Sequence, residues 1–487
     1  MLMKLKDKFI LVVALALPIF SVAFQSLMGR VASDSSAFRY IGWRMTEGAN
    51  CYVDVWDHKG PIVFVFNALG YVLGIGPNIL YAGVWMLVVV GAFCLARKFS
   101  EAVAPWTALL FSILGVGMAS GVFIVNVEIT AALFSVWALW VALDFKRPIR
   151  FALSGACVGL AFMTKPNLIG GGVAIALWML MLWIHKQVSI RDFFKCTLLA
   201  LVGFVLVVGG ISLLFWLHDS CGRMWDAMLL YNAFEYASQD DISRLQWWMR
   251  YLRTTVFAFR SGWWVLPSYV ILFALALWRG FLNLIRRDSY GSLIAFWLVC
   301  ETGAAFCAKQ FFGHYLIICL LPVSILIVQL CHDYGNRYVR GFIVIAVMGM
   351  SVLYSVSSAV GFRTAANYGK ITVEAKARVH DLIPQGEQVA CFGKSGAAEL
   401  MEATGLWSSQ CYQFADWFWS YAKADRRDQM SIDLLMTLQR SDIRYFLFDG
   451  KTTIDDLFVG YPLVRKELLK WRLVLRTILA DVYVKEM

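Results

Sequence analysis

The chain is written mostly in apolar blocks, not in the period-two alternation of a half-buried strand or the one-sided stripe of a surface helix. Crossing a bilayer takes roughly 20 mostly apolar residues. Eleven blocks approach that length: Phe9–Gly29, Leu80–Ala96, Ala104–Val122, Ile129–Leu143, Phe151–Met163, Leu168–Ile184, Thr197–Leu217, Trp263–Trp278, Ser292–Ala308, Tyr315–Cys331 and Phe342–Val360. The fifth and sixth form a tight pair broken at Thr164-Lys165-Pro166-Asn167. A further apolar run, Ile62–Leu73, is too short and too close to the next block to cross alone. It predicts an amphipathic or re-entrant helix at the interface.

Three polar stretches are sizeable: residues 30–78, residues 218–262 and everything after Val360. In the last, Val389–Phe392 and Tyr445–Phe448 read as short strands, and Ile371–Leu382 and Gln429–Gln439 as helices. The pattern predicts an α-helical polytopic membrane protein over residues 1–361. A small α/β domain is expected over 362–487.

Charge orients this arrangement. Lys4, Lys6 and Lys8 precede the first block, and no small-residue cleavage pattern follows it, so it reads as an uncleaved span with a cytoplasmic N-terminus. Strict alternation then assigns Arg97-Lys98, Lys146 to Arg150, Lys186 to Lys195, Arg279 to Arg287 and Arg337 to Arg340 to cytoplasmic loops. Every one is basic. With the N-terminus they hold sixteen Lys or Arg against six Asp or Glu, which accounts for +10 of the net +11. The excess is therefore a topology signal and not a nucleic-acid footprint. The same alternation puts the C-terminus outside. Composition agrees: 60% of residues are hydrophobic and 16% charged, where soluble domains carry about 25%. A disordered chain is excluded.

Ionisable groups then gather on one face. Asp34 follows the first block directly. Asp54-Val55-Trp56-Asp57-His58-Lys59-Gly60-Pro61 precedes Ile62–Leu73. Glu128, in Asn126-Val127-Glu128, lies at the outer end of the fourth block, Lys165 at another outer turn, and Lys309 with His314-Tyr315 at a third. Ionisable groups at that depth are costly unless paired or used. No Rossmann or phosphate-loop glycine pattern, CxxC pair or zinc spacing is present. Cys391 and Cys411 are both expected outside, where a disulfide between them is possible.

These motifs, in this order, resemble the GT-C superfamily of polytopic glycosyltransferases, in the branch of the protein O-mannosyltransferases and the lipid A aminoarabinose transferase. That branch carries an acid after the first span and a D-x-[FW]-[DE]-x-K-x-P element before the second. A Glu in the second outer loop and a late H-Y-x(6)-P segment follow. Here these are Asp34, Asp54 to Pro61, Glu128, and His314-Tyr315 with Pro322. The family often has a second acid beside the first Asp, where this chain has Ser35.

The resemblance implies an inverting transfer of a sugar from a polyprenyl-phosphate donor to a hydroxyl on a glycan, lipid or protein acceptor. It implies a bacterial inner or plasma membrane and no nucleic-acid partner. By the same resemblance Asp34 is the base and Lys59 the phosphate contact. His58, Lys165, Lys309 and His314 are further donor-phosphate contacts. Asp57 and Glu128 orient the acceptor or bind a divalent cation with Asp34, and Asp54, Trp56 and Tyr315 contact substrate. A transporter or flippase of lipid-linked sugars is the competing class. Transporters commonly show inverted repeats and midplane charges, whereas here the charges crowd one face and no repeat is seen.

Overall fold

The computed structural model describes residues 4–28, 33–119, 125–144, 147–236, 265–307, 313–333, 369–450 and 453–486. The expected eleventh block, Phe342–Val360, and Lys309 lie outside them.

The chain is mostly helical. Helices α1 (Leu5–Met28), α4 (Gly76–Arg97), α5 (Ala104–Ala119), α6 (Val127–Ala142), α7 (Ile149–Thr164), α8 (Gly170–Ile184) and α9 (Ile190–Leu217) follow the apolar blocks, as do Val265–Ile285, Ser289–Cys307 and Leu320–Asp333. Among the described residues, α4 and α9 are both long and apolar enough to cross a bilayer. Helices α6, α7 and α8 have 16, 16 and 15 residues, which at 1.5 Å each is about 24 Å against a hydrocarbon core of about 30 Å. The block expected from Tyr315 begins instead as a 3-10 turn, Gly313–Leu316, and turns α-helical at Leu320.

Small residues set the helix packing. A Cβ on Gly155 of α7 would sit 1.8 Å from the Ala200 carbonyl of α9, and one on Gly203 would sit 1.9 Å from the Ala152 carbonyl. The two backbones thus touch through glycine, the usual device where water supplies no drive for helix association. Beyond Lys195, α9 is apolar and largely open, with Leu198, Leu206 and Leu214 exposed, a face suited to lipid. Buried Glu301 caps α8 from the neighbouring helix, accepting the Gly171 N–H at 2.9 Å.

The polar stretch over residues 30–78 is not an open loop. It holds α2 (Asp34–Thr46) and α3 (Pro61–Val72). Helix α3 covers the short apolar run read from sequence, started by a proline at its first position. Helix α2 was not anticipated. After α9 come a short helix α10 (Cys221–Trp225) and an eleven-residue π-helix, Asp226–Tyr236.

The C-terminal stretch carries a four-stranded sheet in the order β1-β2-β4-β3. Strand β1 (Ala390–Phe392) is parallel to β2 (Tyr445–Phe448). β3 (Trp471–Arg476) and β4 (Asp481–Lys485) complete it antiparallel. β1 and β2 are the two strands read from sequence. β3 and β4 are not, because their partly exposed residues interleave Arg, Lys and Asp with the apolar ones. Helices at 369–382, Ser395–Thr404 and Ala424–Gln439 surround the sheet. This stretch is pinned to residues 54–56: the Trp56 N–H donates to the Cys411 carbonyl at 2.9 Å, and Gln413 Nε2 donates to the Asp54 carbonyl at 3.1 Å. Cys391 and Cys411 are free thiols, and Cys411 Sγ donates to the Tyr52 carbonyl at 3.6 Å.

Candidate active site

Asp34 opens α2, where the helix dipole favours a carboxylate. It is half-buried, and no hydrogen bond or ion pair engages its oxygens among the described residues. Burial raises its carboxyl above the ordinary value, against the pull of His314 and Lys59. Its neighbours fix it in place. The Ser33 N–H donates to Ser36 Oγ at 3.2 Å, and Ser35 Oγ donates to the Val125 carbonyl at 2.6 Å. The second bond ties the start of α2 to the segment that leads into Glu128.

The Asp57-His58-Lys59-Gly60 turn faces it. Asp57 Oδ1 accepts the Lys59 N–H at 2.9 Å, closing the turn. Burial raises the Asp57 carboxyl, opposed by the Lys59 charge and by the Lys59 and His58 amides. Lys59 Nζ meets His58 Nε2. Burial, then the charges of Lys59 and Lys165, hold His58 well below its usual value, so the ring is neutral and accepts from the ammonium. Burial likewise lowers Lys59, with Asp57 opposing. Gly60 has a packing reason. Its N–H donates to the Thr164 carbonyl at 3.0 Å, and a Cβ there would sit 2.0 Å from the Met163 carbonyl. The DHKGP turn thus rests directly on the C-terminal end of α7.

Two further segments complete the cluster. Asn126 caps α6 by accepting the Glu128 N–H at 2.6 Å. Glu128, itself buried, accepts from Lys165 Nζ at 3.0 Å. That ammonium also lies 3.6 Å from the Tyr315 ring centroid. His314 joins through the charges of Glu128, Asp34, Lys165 and Lys59, though burial is the larger influence and lowers it.

Asp34, Asp57, His58, Lys59, Glu128, Lys165, His314 and Tyr315 therefore converge. Asp54 and Trp56 stand apart. Asp54 accepts the Asn50 N–H at 2.7 Å within its own turn. Trp56 is 2% exposed and packs edge-on against Tyr231 and Phe418, with ring centroids 5.0 and 4.8 Å away.

The carboxylates do not form a cation cage. Glu128 is paired with Lys165, Asp57 Oδ1 accepts the Lys59 N–H, and no cluster of three or more His, Cys, Asp or Glu suited to a metal occurs among the described residues.

Sequence reasoning missed a second network, centred on buried Arg39 and Glu399. Glu399, on the Ser395–Thr404 helix, accepts from Arg39, from Ser36 Oγ at 2.9 Å and from Lys376 Nζ at 2.6 Å. Glu402 accepts from Arg39 Nε at 3.3 Å and from the Tyr71 hydroxyl at 2.7 Å. These bonds anchor the C-terminal stretch to the helix that begins with Asp34. Partners 363 residues apart in the chain leave no local signal.

No protein-family model and no curated protein matches the chain. Solved structures do. ArnT from Cupriavidus metallidurans bound to undecaprenyl phosphate aligns with a TM-score of 0.63 at 13% identity, over 98% of this chain and 97% of that one. The oligosaccharyltransferase of Archaeoglobus fulgidus, in complex with Zn and sulfate, aligns at 0.56 and 13% identity over 98% and 73%. AglB from the same archaeon, with an inhibitory peptide and a dolichol-phosphate, aligns at 0.54 and 14% identity over 94% and 71%. Those neighbours are membrane glycosyltransferases, and the fold of this chain is the GT-C fold.

Proposed function

We propose that the protein is an integral membrane glycosyltransferase of the inner or plasma membrane, working on the outer face with eleven spans and an external C-terminal α/β domain. The basic loops support this orientation. The donor is a polyprenyl-phosphate sugar and the acceptor a hydroxyl on an envelope glycan, lipid or protein. Fold neighbours bound to undecaprenyl phosphate and dolichol-phosphate support the donor class.

The observation that carries the reading is the division of labour among three carboxylates. Asp57 closes a turn and Glu128 holds Lys165, while Asp34 is uncommitted, with its carboxyl raised. Asp34 takes the acceptor proton as the hydroxyl oxygen attacks the anomeric carbon. The bond from that carbon to the donor phosphate breaks, the phosphate leaves with the electron pair, and configuration inverts. Lys59 and Lys165 meet the developing charge. His58 and His314 add hydrogen bonds on the same side, and Tyr315 holds Lys165 in place. Lys309 is a further phosphate contact in this reading. No step runs through a metal ion.

The test is transfer from a panel of polyprenyl-phosphate sugars by purified protein, with the released lipid phosphate and the anomeric configuration of the product identified. D34N, normally expressed and folded, is expected to abolish transfer. Undiminished transfer by D34N removes the base assignment, and retention of configuration removes the single displacement.

A further inference from the structure

The π-helix Asp226–Tyr236 touches both sides of the candidate phosphate site. Asn232 Nδ2 donates to the His58 carbonyl at 2.8 Å. The Tyr236 hydroxyl hydrogen-bonds the Tyr315 hydroxyl, and Tyr315 lies under Lys165. The rings of Tyr231 and Tyr236 pack on His58 at 5.5 and 4.9 Å. One short element therefore holds the DHKGP turn and the His314-Tyr315 turn at a fixed separation.

A π-helix of this length is unusual, since such geometry mostly occurs as single turns. It needs support from outside itself. Much of that support comes from one side chain, beside the Lys423 N–H that donates to Glu235 Oε2 at 3.1 Å. Arg426 Nη2 donates to both carboxylate oxygens of Asp226, at 3.1 and 3.0 Å, and its Nε donates to Glu235 at 2.9 Å. Asp226 is the first residue of the π-helix and Glu235 the last but one. The planar guanidinium also lies 5.4 Å from the Trp56 ring and 5.3 Å from the Tyr231 ring. Only a forked, flat cation can make both kinds of contact at once. Arg426 sits in the first turn of the Ala424–Gln439 helix, where the dipole disfavours a cation. Its position is thus explained by the partners it reaches across the interface.

We infer that Arg426 is a positioning residue for the donor site: from the C-terminal stretch it clamps the two ends of the π-helix, and through Asn232 and Tyr236 it sets the spacing of His58-Lys59 against Tyr315-Lys165. The donor part of this inference rests on the function proposed above. Arg426 itself need touch no substrate.

The full chain in detergent is compared as wild type, R426M, R426K and the partner variant D226N with E235Q. Amide hydrogen exchange is read over 226–236 and 57–60, and affinity is measured for undecaprenyl phosphate. R426M is expected to speed exchange in both segments and to weaken undecaprenyl phosphate binding on the order of tenfold. R426K keeps the charge without the fork and is expected to give a smaller change in the same two segments. Combining R426M with the partner variant is expected to add little to either. Unchanged exchange in both segments overturns the clamp, whatever transfer does. Exchange rising uniformly through the chain in R426K also overturns it, leaving a residue needed only for folding. Failure of the wild type to bind undecaprenyl phosphate overturns the donor reading and not the clamp, which the exchange data judge alone.

Discussion

Ser35 Oγ donates to the Val125 carbonyl at 2.6 Å, across 90 residues of chain, and so joins the helix of Asp34 to the segment of Glu128. A serine stands where the family that the sequence resembles often has a second acid, and here it ties the start of α2 to the segment before α6. S35A is expected to lower kcat several-fold with a stability loss of about 1 kcal/mol, the scale of one hydrogen bond. S35D is expected to be worse, because a buried carboxylate cannot donate to a carbonyl. Steady-state kinetics on both variants checks this, and full activity of S35D contradicts it.

Glu128 and Lys165 form a pair 2% and 12% exposed. Removing one partner strands the other charge in a poorly hydrated place. K165M and E128Q are each expected to be severely impaired. The double variant is expected to be less impaired than the product of the two single losses. Additive losses in a double-mutant cycle show that the two act separately.

The pH profile follows from two opposite displacements. Burial raises the Asp34 carboxyl, so activity falls with acid through a midpoint above the usual carboxylate range. Burial lowers the Lys59 ammonium, so the phosphate contact is lost with alkali below the usual lysine range. The expected profile is a bell. In K59R the alkaline limb moves out of range, because a guanidinium does not titrate there.

The Glu399 network predicts a stability effect distinct from catalysis. E399A leaves buried Arg39 with Glu402 as its remaining carboxylate and takes the acceptor from Ser36 and Lys376, which costs roughly 3 kcal/mol. E399Q keeps an acceptor for Ser36 and is expected to be milder. Thermal unfolding in detergent ranks the two, and equal melting temperatures contradict the assignment.

Chelation tests the charge assignment. Because Lys165 and the Asp57 turn already engage two of the three carboxylates, EDTA is expected to leave transfer unchanged. Loss of activity on chelation, restored by a divalent ion, contradicts the metal-free step.

What could be read from sequence was what has a local cause. Apolar blocks are legible because a helix of this fold needs a continuous apolar run. The DHKGP turn is legible because Asp57, Gly60 and Pro61 each satisfy a constraint within a few residues. Helix α2 was read as a loop because its hydrophobic residues are diluted by Ser35, Ser36, Arg39 and Gly42, and it is stabilised by Glu399, which lies far away in sequence. The π-helix and Arg426 had no signature for the same reason. Trp56 sat in the right motif, yet its ring is enclosed by Tyr231 and Phe418, which no spacing rule brings together.

The backbone pairing of Trp56 with Cys411 has a temporal side. The motif is synthesised well before its partner, so the turn that carries Lys59 gains this backbone contact only once residue 411 has been made. A chain stopped short of Cys411 would hold Asp34, Lys59, Glu128, Lys165 and His314 and still lack the contact that seats the turn.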